Sequence, residues 1–134
     1  MINYLEYDEA LIIHARIIDE TGGAHGIRDI NLVASMLGRP KMSFGGKELY
    51  PGIFDKAAAY FESCAMNHAF IDGNKRTAIA LAARFLYLNN YEVVVSNKNM
   101  ETFVLNAVVK KYDLHKVAVW FKKYSKKIKN KKSP

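Results

Sequence analysis

One cysteine, three prolines and one tryptophan occur in the 134 residues, and each scarcity excludes something. A single thiol, Cys64, cannot form an internal disulfide or a cysteine metal cluster. No apolar run approaches the roughly 18 residues of a membrane-spanning helix, so no membrane association is expected. The opening Met1-Ile2-Asn3-Tyr4-Leu5-Glu6 lacks a basic stretch followed by an apolar one, so no signal peptide is read there and a cytoplasmic location is expected. Half the residues are hydrophobic, which excludes a disordered chain. The length suits one domain with a real core.

Net charge is also missing from most of the chain. The formal total is +7, yet residues 1–121 hold 13 Lys or Arg against 13 Asp or Glu. The surplus is seven lysines in the last 13 residues: Lys122, Lys123, Lys126, Lys127, Lys129, Lys131 and Lys132. This pattern divides the chain into a domain over residues 1–124 and a solvated, fraying lysine-rich tail over 125–134. The folded body is not expected to bind nucleic acid, whereas the tail could contact an acidic partner or a phosphate backbone.

Periodicity and caps give a mostly helical reading. Asp8 can cap a helix carrying Leu11, Ala15 and Ile18 that stops at Gly22-Gly23, with His14 inside it as a packing or surface residue. Gly22 to Arg28 reads as a plain loop, although its three glycines could also approach a phosphate. Asp29 caps a short helix ending at Gly38 and Pro40. The stretch Ser43-Phe44-Gly45-Gly46-Lys47-Glu48-Leu49 carries a hairpin signal in its Gly-Gly, flanked by Phe44 and Tyr50, which are unusual in an idle connector, so it is either an ordinary surface hairpin or a flap over a neighbouring cleft. Two helices, about 53–66 and 74–88, carry apolar and small residues at steps of three and four and form the expected centre of the domain. Tyr91 to Val95 is a short extended segment. Asn97 or Asn99 caps a helix with a Met100, Phe103, Val104, Ala107, Val108 stripe, and Asp113 caps a last helix on which Val117, Phe121, Tyr124 and Ile128 recur.

Between the two central helices lies Asn67-His68-Ala69-Phe70-Ile71-Asp72-Gly73-Asn74-Lys75-Arg76-Thr77-Ala78. A plain helix connection has no need of a histidine, a carboxylate, an amide and two cations. The first N–H groups of a helix are unpaired and attract anions, and Gly73 lets the backbone come close to one or take a positive φ. Lys75 and Arg76 oppose the helix dipole at that end by a few tenths of a kcal/mol each, a cost that a polyphosphate would reverse. Asp72 is a hard oxygen ligand suited to Mg²⁺ beside phosphates. His68, which can titrate near neutrality, is the candidate general base. Asn74 can donate to a phosphate oxygen or orient the metal ligand. Cradle, metal ligand and base together suit phosphoryl-type transfer.

His68-x-Phe70-x-Asp72-Gly73-Asn74-Lys75-Arg76-Thr77-Ala78 resembles the signature of the Fic/Doc superfamily, and its Asn-Lys-Arg ending resembles the death-on-curing (Doc) toxin branch. The Gly22–Asp29 loop, Gly38-Arg39-Pro40 and Leu49-Tyr50-Pro51 extend the likeness to roughly residues 1–124. The resemblance implies an all-α Fic fold: a compact helical bundle around two central helices, with a short β-hairpin flap. It implies a transferase using ATP and Mg²⁺ on a protein hydroxyl, with His68 as base, Asp72 on the metal, Gly73, Asn74, Lys75 and Arg76 on the phosphates, and Phe70 packing the motif. The hairpin over 41–50 would hold the target segment by strand addition. Doc toxins phosphorylate elongation factor Tu, arrest translation, and are neutralised by a Phd-type antitoxin. Lys75 and Ile79 stand where adenylyltransferases of the superfamily carry a glycine and an arginine, which favours a kinase over AMP transfer. Ser43 and Glu48 are one residue too far apart for the family's inhibitory segment, so inhibition is expected in trans. A non-catalytic module binding through the basic tail is the alternative from another class.

Overall fold

The computed structural model describes residues 1–129, and local signals in the sequence explain most of its elements. In chain order these are α1 (Tyr7–Thr21), α2 (Ile30–Gly38), a 3₁₀ turn (Arg39–Lys41), β1 (Ser43–Phe44), β2 (Lys47–Glu48), α3 (Ile53–Asn67), α4 (Asn74–Leu88), β3 (Tyr91–Val93), α5 (Asn97–Val109), α6 (Leu114–Lys123) and β4 (Ser125–Lys127). Helices dominate, as expected. Among the described residues, no helix is long and apolar enough to cross a membrane.

Helix starts follow their caps. The Asp29 carboxylate accepts from Asn31 N and Leu32 N, and that of Asp113 accepts from Lys116 N. Two starts differ from expectation. At α1 the N-cap is Glu6, in an extended conformation, and Asp8 lies within the first turn, where its charge suits the dipole. At α5 the cap is Ser96, whose Oγ accepts from Asn99 N at 3.2 Å.

The core forms around α3 and α4. Ala57, Ala58 and Ala65 face Ala78 and Ala82 with no exposure, so the helix axes approach closely. Phe85 and Tyr60 close one end of this contact, their rings 5.0 Å apart. Burial pushes the Tyr60 phenol up to about 12, and its oxygen accepts from Leu5 N at 3.1 Å. On the other side Phe103 of α5 and Phe121 of α6 pack against Phe61 of α3, with ring centroids 5.5–6.1 Å apart. Cys64 lies fully inside, its thiol pushed up to about 12 by burial, so it is packing material rather than a nucleophile.

The C-terminal segment departs from the expected tail. The last helix ends at Lys123, and Ser125–Lys127 pairs antiparallel with Tyr91–Val93. Val94 N donates to Tyr124 O at 2.7 Å and Ile128 N to Asn90 O at 2.8 Å. Without this strand the backbone groups of β3 would have no partner on that edge, which outweighs the helical periodicity that runs on to Ile128. Residues 125–129 therefore belong to the folded body, while Lys131 and Lys132 lie outside the described residues.

A chain ending at Tyr124 loses the pairing of Ser125–Lys127 with β3 and the Ile128 bond to Asn90. It is expected to melt about 3–6 °C lower, corresponding to about 1–2 kcal/mol, with its helical circular dichroism retained. An unchanged midpoint would restore the view of this segment as a solvated tail.

Candidate active site

The turn between α3 and α4 is held from behind at nearly every polar atom. The α3 helix ends as His68 turns left-handed, at φ 54° and ψ 55°. The last carbonyls of a helix lack internal partners, and a cation suits that end. Arg28 meets both needs: its Nε donates to His68 O at 2.6 Å and its Nη2 to Asn67 O at 2.9 Å. Arg28 N and Asp29 N both donate to Ala69 O, and Ile71 N donates to Gly26 O at 3.0 Å. Residues 26–29, expected as a plain loop, thus run beside the motif like a short strand.

Asn74 closes the turn. Its Oδ1 accepts from Phe70 N at 3.0 Å and its Nδ2 donates to Phe70 O at 2.9 Å. The side chain is buried, so Asn74 shapes the turn, and only its backbone N–H remains at the helix end. The amide named as a possible phosphate donor is used here within the turn. Phe70, with no exposure, stacks on His14 at 3.9 Å between centroids and 8° between planes. His14 Nε2 donates to Asp72 O at 2.8 Å, so a packing histidine also fixes the carboxylate residue.

Asp72 Oδ2 accepts from Ala24 N at 3.1 Å and Oδ1 from Gly73 N at 2.9 Å. These two N–H groups, with the Arg76 charge adding to them, hold its carboxyl below the ordinary value of 3.8. Gly23 has a φ of +113°, and a Cβ there would stand 2.6 Å from Asp72 Oδ2. The glycine is required for loop and carboxylate to meet.

The α4 N-terminus is left open. Gly73, at φ 74° and ψ 20°, caps it with no side chain, whereas α2, α5 and α6 are capped by Asp29, Ser96 and Asp113. The helix's own bonding begins with Thr77 N to Gly73 O, so the N–H groups of Asn74, Lys75 and Arg76 lack a helical partner. Lys75 is exposed. Arg76 is committed elsewhere: its Nη1 donates to Gly22 O at 3.1 Å and to Thr21 Oγ1, at the C-terminus of α1. That helix end offsets the unfavourable dipole at α4, so the charge argument for an anion rests on Lys75 and the free N–H groups.

His68, Ile71, Asp72, Gly73, Asn74, Lys75 and Arg76 line one cleft of about 270 Å³. The structure thus brings together every residue expected to act on a nucleotide, with Phe70 beneath them. The flap is not among the lining. Residues 43–49 form the expected hairpin, Ser43 opposite Glu48 and Phe44 opposite Lys47, with Phe44 82% exposed. Its root is held by Lys56, whose ammonium is 1% exposed and donates to Glu48 Oε1 at 2.9 Å and to the carbonyls of Tyr50 and Pro40, the two ends of the segment. Arg39 adds bonds to Tyr50 Oη at 2.8 Å and to Glu62 at 2.7 Å. Lys56 stands twelve residues before His68 on α3, about 18 Å along the axis. The helix that presents the histidine therefore also carries the hairpin. Arg28 lay in a loop that carried the family likeness but without a stated role, and His14, Ala24 and Lys56 gave no motif signal; only their position relative to the turn reveals what they do.

Residues 4–86, more than half of the chain, match the Fic/DOC family. The chain belongs to the Fic/DOC family. Among its relatives, Toxin Doc of Mycolicibacterium smegmatis is 39% identical over 93 residues, covering 69% of each chain. Protein kinase doc of Escherichia phage P1 is 29% identical over 92 residues, covering 69% of this chain and 72% of its own. The family's fold agrees with the helical bundle described above, and the motif turn falls within the matched residues.

Two measurements probe this support. The Asp72 carboxyl is expected to titrate below 3.8 by NMR; a midpoint at or above that value would mean the Ala24 and Gly73 contacts are not made. Because the folded value is depressed, its contribution to stability is full above the ordinary value and is lost as pH falls through the folded one. Replacing Lys56 with Ala takes the donor from the buried Pro40 carbonyl and the half-buried Tyr50 carbonyl and should cost about 2–4 kcal/mol. Limited proteolysis should then cut within 42–50 much faster than in the parent chain.

Proposed function

We propose that this chain is a Doc-type toxin that transfers the γ-phosphate of ATP to a Ser or Thr hydroxyl of a translation factor resembling elongation factor Tu, so arresting translation. The observation that carries the reading is the uncapped α4 N-terminus, with Lys75 beside it and His68 across the same 270 Å³ cleft. The name of the phage P1 relative, Protein kinase doc, supports the reaction type.

The roles follow from what each group has free. His68 has its backbone fixed by Arg28, which leaves the exposed imidazole to take the proton of the target hydroxyl as its oxygen forms a bond to the γ-phosphorus and the bond from that phosphorus to the β,γ-bridging oxygen breaks, releasing ADP. Backbone N–H groups of residues 74–76 hold phosphate oxygens, and Gly73 keeps their approach open. Lys75 supplies the mobile charge that can follow the transferred group. The donor set fits Mg²⁺: one ionised carboxylate, Asp72, beside a phosphate cradle, each oxygen keeping a lone pair after its backbone bond. Bound there, the ion would neutralise charge that builds up on the phosphates. The flap's exposed edge can pair with an extended target segment.

AMP transfer is the second reading, favoured by the N–H cradle, which serves an α- or a γ-phosphate equally. Lys75 weighs against it. A Phd-like antitoxin belongs to the proposal as well. An apolar groove of about 520 Å³ lined by Ile17, Ile79, Met100 and Leu105 adjoins the cleft and shares Lys75 and Arg76 with it. An occupant of that groove would reach the phosphate end of the site.

The deciding experiment supplies ATP labelled at either the α- or the γ-phosphate together with elongation factor Tu. Label is expected from the γ-position only; label from the α-position alone sinks the kinase reading. His68→Ala should slow transfer about 10²–10⁴-fold and relieve growth arrest. Growth arrest unaffected by that change would remove His68 from the mechanism.

A further inference from the structure

Folding of the C-terminal segment changes where the positive charge lies. Residues 97–129 hold nine lysines against two carboxylates, whereas residues 1–96 hold nine basic against eleven acidic side chains. All nine of those lysines are exposed. The balance read over residues 1–121 conceals this asymmetry, because acidic groups early in the chain offset basic ones late in it.

The only tryptophan of the chain lies in the same region. Between α5 and α6 runs a groove of about 420 Å³ with Trp120, Tyr112 and Tyr124 in its lining. One face of Trp120 stacks on Phe103, with centroids 3.9 Å apart and planes within 10°. Tyr124 lies 4.9 Å from Trp120 at a tilt of 43°. These three lining rings are all half-buried. Ammonium groups stand at their faces: Lys116 Nζ is 4.1 Å from the Tyr112 centroid and Lys123 Nζ is 5.4 Å from that of Tyr124. Asn99 and Asn106 add amides from the α5 wall.

A core edge alone explains the Phe103 stack. It does not explain a concave, half-exposed aromatic surface rimmed by lysines in the one strongly basic quarter of the chain. Aromatic faces with interleaved cations suit splayed bases joined by phosphates. A duplex keeps its bases stacked and could not use the rings.

We propose that the α5–α6 groove binds single-stranded RNA without sequence preference. Bases stack on Trp120 and Tyr124, and Lys116 and Lys123 neutralise phosphates. The amides of α5 offer partners for a 2′-hydroxyl, which favours RNA over DNA. The opposite face of α5, through Met100 and Leu105, lines the groove beside the motif cleft. The RNA site is therefore separate from the transfer site and does not rest on the reading given to it.

The test titrates the full chain with a 12-nucleotide oligouridine RNA while following Trp120 emission and the anisotropy of a labelled RNA. Quenching of Trp120 is expected in step with binding, and affinity should fall steeply with salt. The double substitution K116A/K123A should weaken binding about tenfold and reduce the salt slope by about 1.4, for two lost phosphate contacts on a single strand. His68→Ala should bind RNA as the parent does, so failure of the transfer reading leaves this result untouched. The proposal is overturned by no binding at 50 mM salt, by binding without any change in Trp120 emission, or by an unaltered affinity of the double variant. Tighter binding of the matching DNA strand would overturn the assignment to RNA.

Discussion

The site depends on the five-residue turn from Phe70 to Asn74, closed by two hydrogen bonds between the Asn74 amide and both backbone groups of Phe70. A short connection between packed helices exposes several peptide groups at once, and buried ones must find partners. Asn74 satisfies two of them inside the turn itself, Gly26 and the backbone of Arg28 and Asp29 satisfy others from outside, and His14 takes the carbonyl of Asp72. The polar atoms that remain face outward: the His68 ring, the outer lone pairs of Asp72, the Lys75 ammonium and the first N–H groups of α4. Chemistry at this site is done by what the scaffold leaves unpaired.

Electrostatics follows the same division. Two helix ends meet near the site with opposite partial charges, the C-terminus of α1 and the N-terminus of α4. Arg76 bridges them, so its charge stabilises the α1 end and costs little at the α4 end. A reading in which both cations serve a ligand is thereby divided. Arg76 bonds to the end of α1, and Lys75 stands exposed beside the α4 N-terminus. Lys75 is also the residue on which the proposed preference for γ-phosphate over AMP transfer rests.

A second division separates the family-matched residues 4–86 from the C-terminal third of the chain. Residues 4–86, matched to the Fic/DOC family, contain the turn and almost everything that holds it. Beyond them, α5 and α6 contribute Phe103 and Phe121 to the core and leave the lysines outside. The strand at Ser125–Lys127 fixes the end of that region onto β3, and so turns a run of like charge into part of a surface with shape.

Caps, helical periodicity and the hairpin glycines act over a few residues, so the sequence by itself determined α2, α3, α4, the start of α6 and the 43–48 hairpin nearly to the residue. It likewise determined which side chains the turn would gather in one cleft. Only the tertiary structure decided which atoms among them are free. Arg28 reaches His68 across 40 residues, Arg76 reaches Gly22 across 54, and His14 reaches Asp72 across 58. Such bonds leave no local pattern, because each partner alone reads as an ordinary loop or helix residue. The same holds for β4, whose lysines carry a solvated-tail composition until the unpaired edge of β3 makes them a strand. Local propensity sets the elements, but satisfaction of buried and edge-on backbone groups is settled between segments distant in sequence.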